Sequence, residues 1–418
     1  MTLRCAVVNG YAVFIVPLLA ATLNAASPSV PDRSAWTFSS SLGARESYDS
    51  NVYMQGVTAR ANHGSAVTTF LPAGSLTWKP SGAFTLAASY SPEFSLYSRA
   101  SSENNAAHKI AALLSGQRPE MKWDLGNALT IVDGESLGPT FTGQGGSAII
   151  GGVPLLERRD QRVLRQNFKA QFPVGAWFVR PVASTYIHDF RTEQRTTAGY
   201  QNYIDRNEFA AGLDAGKKLS PALTLFAGFR YGSQDQAASP VSAFQYDNQF
   251  RRMLVGAEAA PQPWLKLSLL AGSDRRSFAS SVPATLDRDL TRFFLDATAT
   301  ATASKTDSAT FGAKRFALPG YGGGSFLEIT ALDLSWKHTF SPGLSATFSG
   351  RAHHWDFARP VLRNEWWHGA GLTVAAKLTA RVSFVATFAR DAVRSEIANT
   401  PGREATRSLF SLSSTCTF

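Results

Sequence analysis

At 418 residues the chain is longer than most single soluble domains, and its charged fraction of 17% falls below the usual quarter. No run outside the N-terminus reaches the roughly 18 apolar residues of a transmembrane helix, which excludes a helical membrane bundle. A net charge of +10 points to anionic solutes, anionic lipid headgroups or nucleic acid as partners.

The start reads as a secretory signal over 1–25: Arg4 is the positive charge and Ala12 to Leu23 the apolar core, which Pro17 interrupts. Asn24-Ala25-Ala26 supplies small residues for cleavage, and a short linker covers 26–33. Cys5 lies ahead of the apolar core, which argues against a lipoprotein. Removing the signal leaves Cys416 as the single cysteine, so the exported chain is expected to fold without an internal disulfide. Export also makes nucleic acid the weakest of the three partner classes.

From residue 34 onward, short turns alternate with longer polar stretches. The turns are Lys79-Pro80-Ser81-Gly82, Ser115 to Pro119, Pro173-Val174-Gly175, Leu219-Ser220-Pro221, Ala260 to Pro263, Ser304 to Asp307, Ser341-Pro342-Gly343 and Leu378-Thr379-Ala380. Proline cannot donate to a ladder and glycine permits tight reversal, so these residues end strands. The longer stretches centre on Tyr48 to Ser65, Ser98 to Asn105, Asp133 to Asp160, Arg191 to Tyr203, Ser233 to Ala243, Asp274 to Leu290, Leu318 to Ser325, Phe357 to Glu365 and Ala392 to Arg403. Eight turns and nine loops connect about 18 strands, to within two. The even number places both ends on one side.

Several strands alternate cleanly. Leu295, Ala297, Ala299, Ala301 and Ala303 oppose Asp296, Thr298, Thr300 and Thr302; Val382, Phe384, Ala386 and Phe388 oppose Arg381, Ser383 and Thr387. A charge is costly on a lipid face and tolerated in a wet lumen. The mean hydropathy of −0.11 suits such a wall. The expected fold is all-β: an antiparallel up-and-down transmembrane barrel over 34–418. So many inward Ser and Thr argue against a large dry core. Trp78, Trp123, Trp177 and Trp264 sit at short turns, as an interfacial aromatic girdle would.

Alternation assigns Lys122, Arg165, Lys169, Arg180, Arg230, Arg252, Lys266, Lys337, Arg351 and Lys377 to the wet face, with Asp124, Glu208, Asp214, Glu258, Asp296 and Asp333. The basic excess favours anions, unless the lumen charges merely neutralise one another. No catalytic constellation stands out, so an enzyme is not expected, and no cofactor or metal is. His353 and His354 are adjacent on a strand and point to opposite faces, so they cannot chelate one ion. Trp366-Trp367-His368 reads as an outer-interface cluster. Gly320 to Gly324 lacks the Lys-Ser/Thr of a phosphate loop and reads as a loop tip. The Gly-rich stretch Gly143 to Gly152, within the long Asp133 to Asp160 segment, is either a luminal constriction or a surface loop.

Two resemblances add to this. The last strand exposes Phe410, Leu412, Ser414, Cys416 and Phe418 on one face and ends on Phe418. It resembles the C-terminal signal by which bacterial outer-membrane barrels are recognised by the barrel-assembly machinery. The segment Glu46-Ser-Tyr-Asp-Ser-Asn-Val-Tyr53, echoed by Tyr246-Asp247-Asn248, resembles the β-barrel porin 2 family. That family implies an outer-membrane pore, and some of its members are associated with exopolysaccharide secretion. Asp49 and Asn51 make a poor calcium site, and turn formation is the preferred role. The expected function is thus a water-filled outer-membrane channel for small, anion-leaning solutes. Alternatives are an accessory barrel exporting an acidic polysaccharide and a plugged structural or adhesive barrel. A TonB-coupled transporter and an autotransporter are not expected, since no plug or passenger segment precedes the first strand.

Overall fold

The computed structural model describes residues 35–54, 62–135, 149–150, 153–154, 159–190, 205–237, 244–319, 326–358, 363–396 and 404–418. The signal and linker segments, Gly320 to Gly324 and most of Gly143 to Gly152 lie outside them.

The strands follow the expected order of short turn and long loop. They are β1 (Trp36–Asp49), β2 (Ser65–Ser81), β3 (Phe84–Tyr90, resuming at Glu93–Tyr97), β4 (Asn105–Arg118), β5 (Met121–Glu135), β6 (Arg159–Val174), β7 (Trp177–Phe190), β8 (Arg206–Ser220) and β9 (Leu223–Gln236). They continue as β10 (Asn248–Gln262), β11 (Leu265–Phe278), β12 (Asp289–Ala301), β13 (Asp307–Pro319), β14 (Phe326–Ser341), β15 (Leu344–Phe357), β16 (Arg363–Lys377), β17 (Val382–Glu396) and β18 (Ala405–Thr417). Both segments of β3 pair with β2 and β4, because Ser91-Pro92 interrupts one stave rather than starting another. The sheet therefore has eighteen staves, all antiparallel to their neighbours. A minor hairpin, Ile149–Ile150 with Val153–Pro154, lies between β5 and β6.

The ring closes where β1 pairs with β18, from Ser41↔Thr417 to Asp49↔Leu409. Closure leaves no free edge at the seam, which a wall surrounded by lipid requires. The outward row is apolar and open: Met253 and Val255 are 68% and 64% exposed, and Phe410 and Leu412 each 56%. At the short-turn rim Trp36 stacks on Trp78 (ring centroids 5.2 Å), Trp78 meets Phe84 edge-on, and Phe84 leans on Trp123. Gly116 makes room for Trp123, whose Nε1 would lie 2.2 Å from a Cβ there. Trp177 packs under Lys217 (5.1 Å), and Trp264 occupies its turn half-exposed. An apolar belt ending in rings that tolerate both lipid and water is the surface of an outer-membrane β-barrel. In such barrels the short turns are periplasmic and the long loops extracellular.

One part of the wall departs from this regularity. β12 and β13 pair only from Leu295↔Arg315 to Ala301↔Ala309, although both strands continue toward the extracellular side. Above Arg315 the β13–β14 hairpin turns into the lumen. Arg206 on β8 donates from Nη1 to the Pro319 carbonyl at 3.0 Å. One apolar cluster joins Val163 and Tyr186, on β6 and β7, to Phe316, Leu318, Leu327, Ile329, Ala331, Trp355, Phe357 and Trp367 on β13–β16. A second packs Val282, Leu286 and Leu290 behind the hairpin, with Tyr246, Phe278, Ala317 and Phe326. At about 1.5–3 kcal/mol for each large side chain fully buried, these clusters can hold two strand ends away from a ladder they would otherwise complete. The expectation that inward Ser and Thr leave no large dry core is therefore corrected in part: two apolar clusters fill part of the extracellular half of the lumen, beside buried polar groups such as Arg276, Gln234 and His188.

Candidate functional site

The candidate site is the lumen, whose two ends differ. Pairing register carries one inward parity around the ring, and Lys122, Arg165, Lys169, Arg180, Arg230, Arg252, Lys266, Lys337, Arg351 and Lys377 all occupy inward positions. Their surroundings divide them into two groups.

Arg180, Arg230 and Arg252 are held by carboxylates. Arg180 on β7 donates to Glu258 on β10 (2.8 Å) and to Gln171 on β6 (3.1 and 2.9 Å), and lies over the Phe178 and Phe226 rings. Phe226 lies flat because Gly256 beside it has no Cβ, which would come within 2.1 Å of the ring. Arg230 meets the buried Asp214 at 2.7 Å. Arg230 and Arg252 are directly opposite each other, and the repulsion expected of that pairing is offset by Asp214 on one side and Asp274 (3.0 Å from Arg252) on the other. Arg276, fully buried, shares Asp274 (2.9 Å) and lies over Phe250 and Phe326. Arg351 lies over Trp367 at 5.3 Å. Arg165 covers one side of the hydrophobic cluster through Tyr186, 5.4 Å from its guanidinium.

The lysines are not held. Lys122, Lys169, Lys266, Lys337 and Lys377 are exposed to the periplasmic half of the lumen, and none has a carboxylate partner among the described residues. A cavity of about 510 Å³ lies against the wall between the two halves, with Ser75, Thr77, Ser89, Leu113, Arg165 and Asn167 in its lining. Hydroxyls, an amide and a guanidinium can exchange for the hydration shell of a small polar or anionic solute.

The other residues singled out in the sequence find definite places. His353 points inward, 3.1 Å from Asp333, while His354 points outward against Trp366. The expected outer-interface cluster is corrected in part: Trp366 and His368 face outward and stack, but Trp367 faces inward and is 2% exposed in the cross-lumen core. Among the described residues, the β13–β14 strand ends occlude the lumen; most of the Asp133 to Asp160 segment lies outside them.

Asp49 and Asn51 build the closure seam. Asp49 accepts from Arg407 at 2.9 and 2.7 Å and from the Asn51 amide at 3.0 Å, while the Asn51 side chain donates to the Thr406 carbonyl at 2.9 Å. Ser50 and Ser408 exchange further bonds at 3.0 and 2.7 Å. The echo at Tyr246-Asp247-Asn248 also orders a loop, with Asp247 accepting from the Gln236 amide at 2.7 Å. At the periplasmic rim, hydrogen bonds from His338, Thr306 and Ser304 hold the Asp307 carboxyl down at about 2.

Two features went unrecognised in the sequence. One is the long-range charge matching, such as Arg180 with Glu258. The other is the plug, which did leave a signal: at the extracellular ends of β13–β16 the inward positions Phe316, Leu318, Leu327, Ile329, Trp355 and Trp367 are apolar where polar residues belong.

No family model matches the chain, and no curated protein does. Solved structures similar to it include Pseudomonas aeruginosa OpdK with vanillate, 10% identical over 91% of this chain and 99% of that one, with a TM-score of 0.46. Pseudomonas aeruginosa OccK2 (OpdF) in complex with glucuronate is 13% identical over 91% of this chain and 98% of its own, with a TM-score of 0.45. Acinetobacter baumannii OccAB4 is 12% identical over 93% of this chain and 100% of its own, with a TM-score of 0.44.

Proposed function

We propose that the chain is an outer-membrane channel for small anionic solutes, shut in this conformation at its extracellular mouth by the β13–β14 hairpin. The observation that carries this reading is the contrast between held arginines and free lysines. Where the lumen is wet, Lys122, Lys169, Lys266, Lys337 and Lys377 have no ion-pair partner among the described residues, and they outnumber the inward carboxylates that lack one, such as Asp124 opposite Lys169. An anion in the periplasmic vestibule thus meets an excess of positive charge that the protein's own carboxylates do not offset. Passage requires the hairpin to withdraw from Val163, Tyr186 and Arg206.

A second reading, export of an acidic polysaccharide, is favoured by the direction of the asymmetry: the basic vestibule faces the periplasm and the seal faces outward. It agrees with the finer resemblance to the β-barrel porin 2 family, which the seam-forming role of the Tyr48 to Val52 segment supports. The outward positions of Phe410, Leu412 and Phe418 suit recognition by the barrel-assembly machinery, and Trp78, Trp123, Trp177 and Trp264 suit a girdle.

Planar-bilayer conductance of the refolded chain in a salt gradient tests the channel. Discrete openings with an anion-selective reversal potential are expected. Cation selectivity would sink the reading, and so would silence from both the wild-type barrel and a folded barrel lacking the hairpin.

A further inference from the structure

The outer surface carries a feature that transport leaves unused. On the lipid-facing side of β9–β12, Phe229, Met253 and Phe293 form part of the exposed apolar belt. Directly above them, toward the extracellular side, come Tyr231, Arg251, Arg275 and Thr291, adjacent across the strands in that order. Arg251 and Arg275 are opposite each other in the ladder, both exposed. Directly opposed side chains stand about 4.5–5.5 Å apart at Cβ, and like charges so placed repel.

Inside the barrel, the opposed pair Arg230 and Arg252 has buried carboxylates beside it; outside, the compensation is weak. Arg275 reaches Asp289 only at 3.7 Å, with both side chains about 60% exposed, and Asp289 also accepts from Ser277 at 2.8 Å. Arg251 has no carboxylate partner among the described residues. Tyr231 donates to Gln249 at 2.9 Å, which fixes its ring beside Arg251 at the upper limit of the apolar belt.

We infer that Arg251 and Arg275 form a binding site for the phosphate headgroup of an outer-leaflet lipid. Two guanidinium groups at one level present paired donors to a single phosphate. The apolar residues below receive the acyl chains, and the tyrosine ring lies at the headgroup boundary. The missing counter-charge is supplied by the lipid, so the repelling pair becomes a cradle. The site stands on the outer wall and does not depend on what passes through the lumen.

The test uses the full mature chain refolded in detergent, with diphosphorylated lipid A as probe, read by native mass spectrometry and by the thermal shift of heat-modifiable migration. Lipid A is expected to bind and raise the unfolding temperature, and its dephosphorylated form to bind at least about tenfold more weakly. The double variant R251Q/R275Q is expected to migrate as a folded barrel and lose that preference. K266Q, on the luminal face, is expected to keep it. Equal binding of the two lipid forms, or an unchanged preference in R251Q/R275Q, would overturn the inference. Inorganic phosphate matching the effect of lipid A would overturn the lipid as the source. Conductance is not the readout, so failure here is distinguishable from failure of the channel reading.

Discussion

The two halves of the lumen solve opposite problems with the same alternating strands. Toward the periplasm, inward positions hold Lys, Ser and Thr, and side chains such as Lys266 and Lys377 extend into open space. Toward the outside, the same parity delivers Phe316, Ile329, Trp355 and Trp367 to one buried cluster, and charges such as Arg276 and Asp274 survive only in pairs. A strand pattern of period two decides which face a residue occupies. What that face becomes depends on the staves across the ring. The wet half tolerates an unpaired lysine because water solvates it; the dry half would not.

The most drastic way to break this contrast is to remove the plug. Replacing Leu318 to Leu327 with an Asn-Gly hairpin turn is expected to convert a rarely open channel into one with steady, large conductance steps. The seven β12–β13 pairs from Leu295↔Arg315 to Ala301↔Ala309 would remain to hold the wall. An equally closed barrel after this replacement would show that the hairpin is not the seal.

Next in size is a charge removed from the dry half. Asp274→Ala leaves both Arg252 and Arg276 without their shared carboxylate. A loss of about 3–5 kcal/mol is expected for breaking a buried pair by removing one partner, measured by urea unfolding in detergent or lipid. A change within about 0.5 kcal/mol, the size of an ordinary surface substitution, would mean that water reaches these groups.

The wet half should behave in the opposite way. Changing Lys122, Lys169, Lys266, Lys337 and Lys377 to Gln is expected to leave stability within about 0.5 kcal/mol per site. The reversal potential should move away from anion preference in graded steps. A stability loss of the Asp274 size, or an unmoved reversal potential, would erase the distinction between the halves.

Much of this was legible because it is local. Pro221, Pro342 and Gly343 lie in the turns just past the strands they end, so the stave count follows from counting turns. Adjacent residues such as His353 and His354 must part to opposite faces. The plug was less legible, because Phe316 and Leu318 keep the inward parity of Lys314 but a single bulge would turn the same apolar pair to lipid. Only their contact with Val163 and Tyr186, about 150 and 130 residues earlier in the chain, shows that they have turned inward. The same holds for Arg180 and Glu258, which the two intervening staves β8 and β9 bring together. Asp49 and Asn51 were readable as turn formers, but their partners Thr406 and Arg407 lie at the far end of the chain.

The smallest expected effect lies below both halves, at the periplasmic rim, where neither plug nor lysines reach. His338 stands outward between Trp336 and Phe340 and shares a 2.8 Å hydrogen bond with Asp307. That bond is the largest cause of the lowering of Asp307 from 3.8 to about 2, ahead of those from Thr306 and Ser304. A carboxyl lowered on folding stabilises the fold above its unfolded value and loses that contribution as pH falls through its folded value. The rim contact is therefore present in full above 3.8 and gone below about 2. His338→Phe keeps an aromatic ring in the belt and removes the dominant donor. The Asp307 titration, followed by carboxyl carbon shifts, should then move up toward 3.8, with the two hydroxyl donors keeping it from arriving fully. Conductance should not change, because the contact lies outside the lumen; unfolding should shift only slightly, at pH above 3.8 and not below about 2, where the contact contributes nothing. An Asp307 titration that stays near 2 in the variant would assign the lowering to the Ser304–Thr306 turn alone.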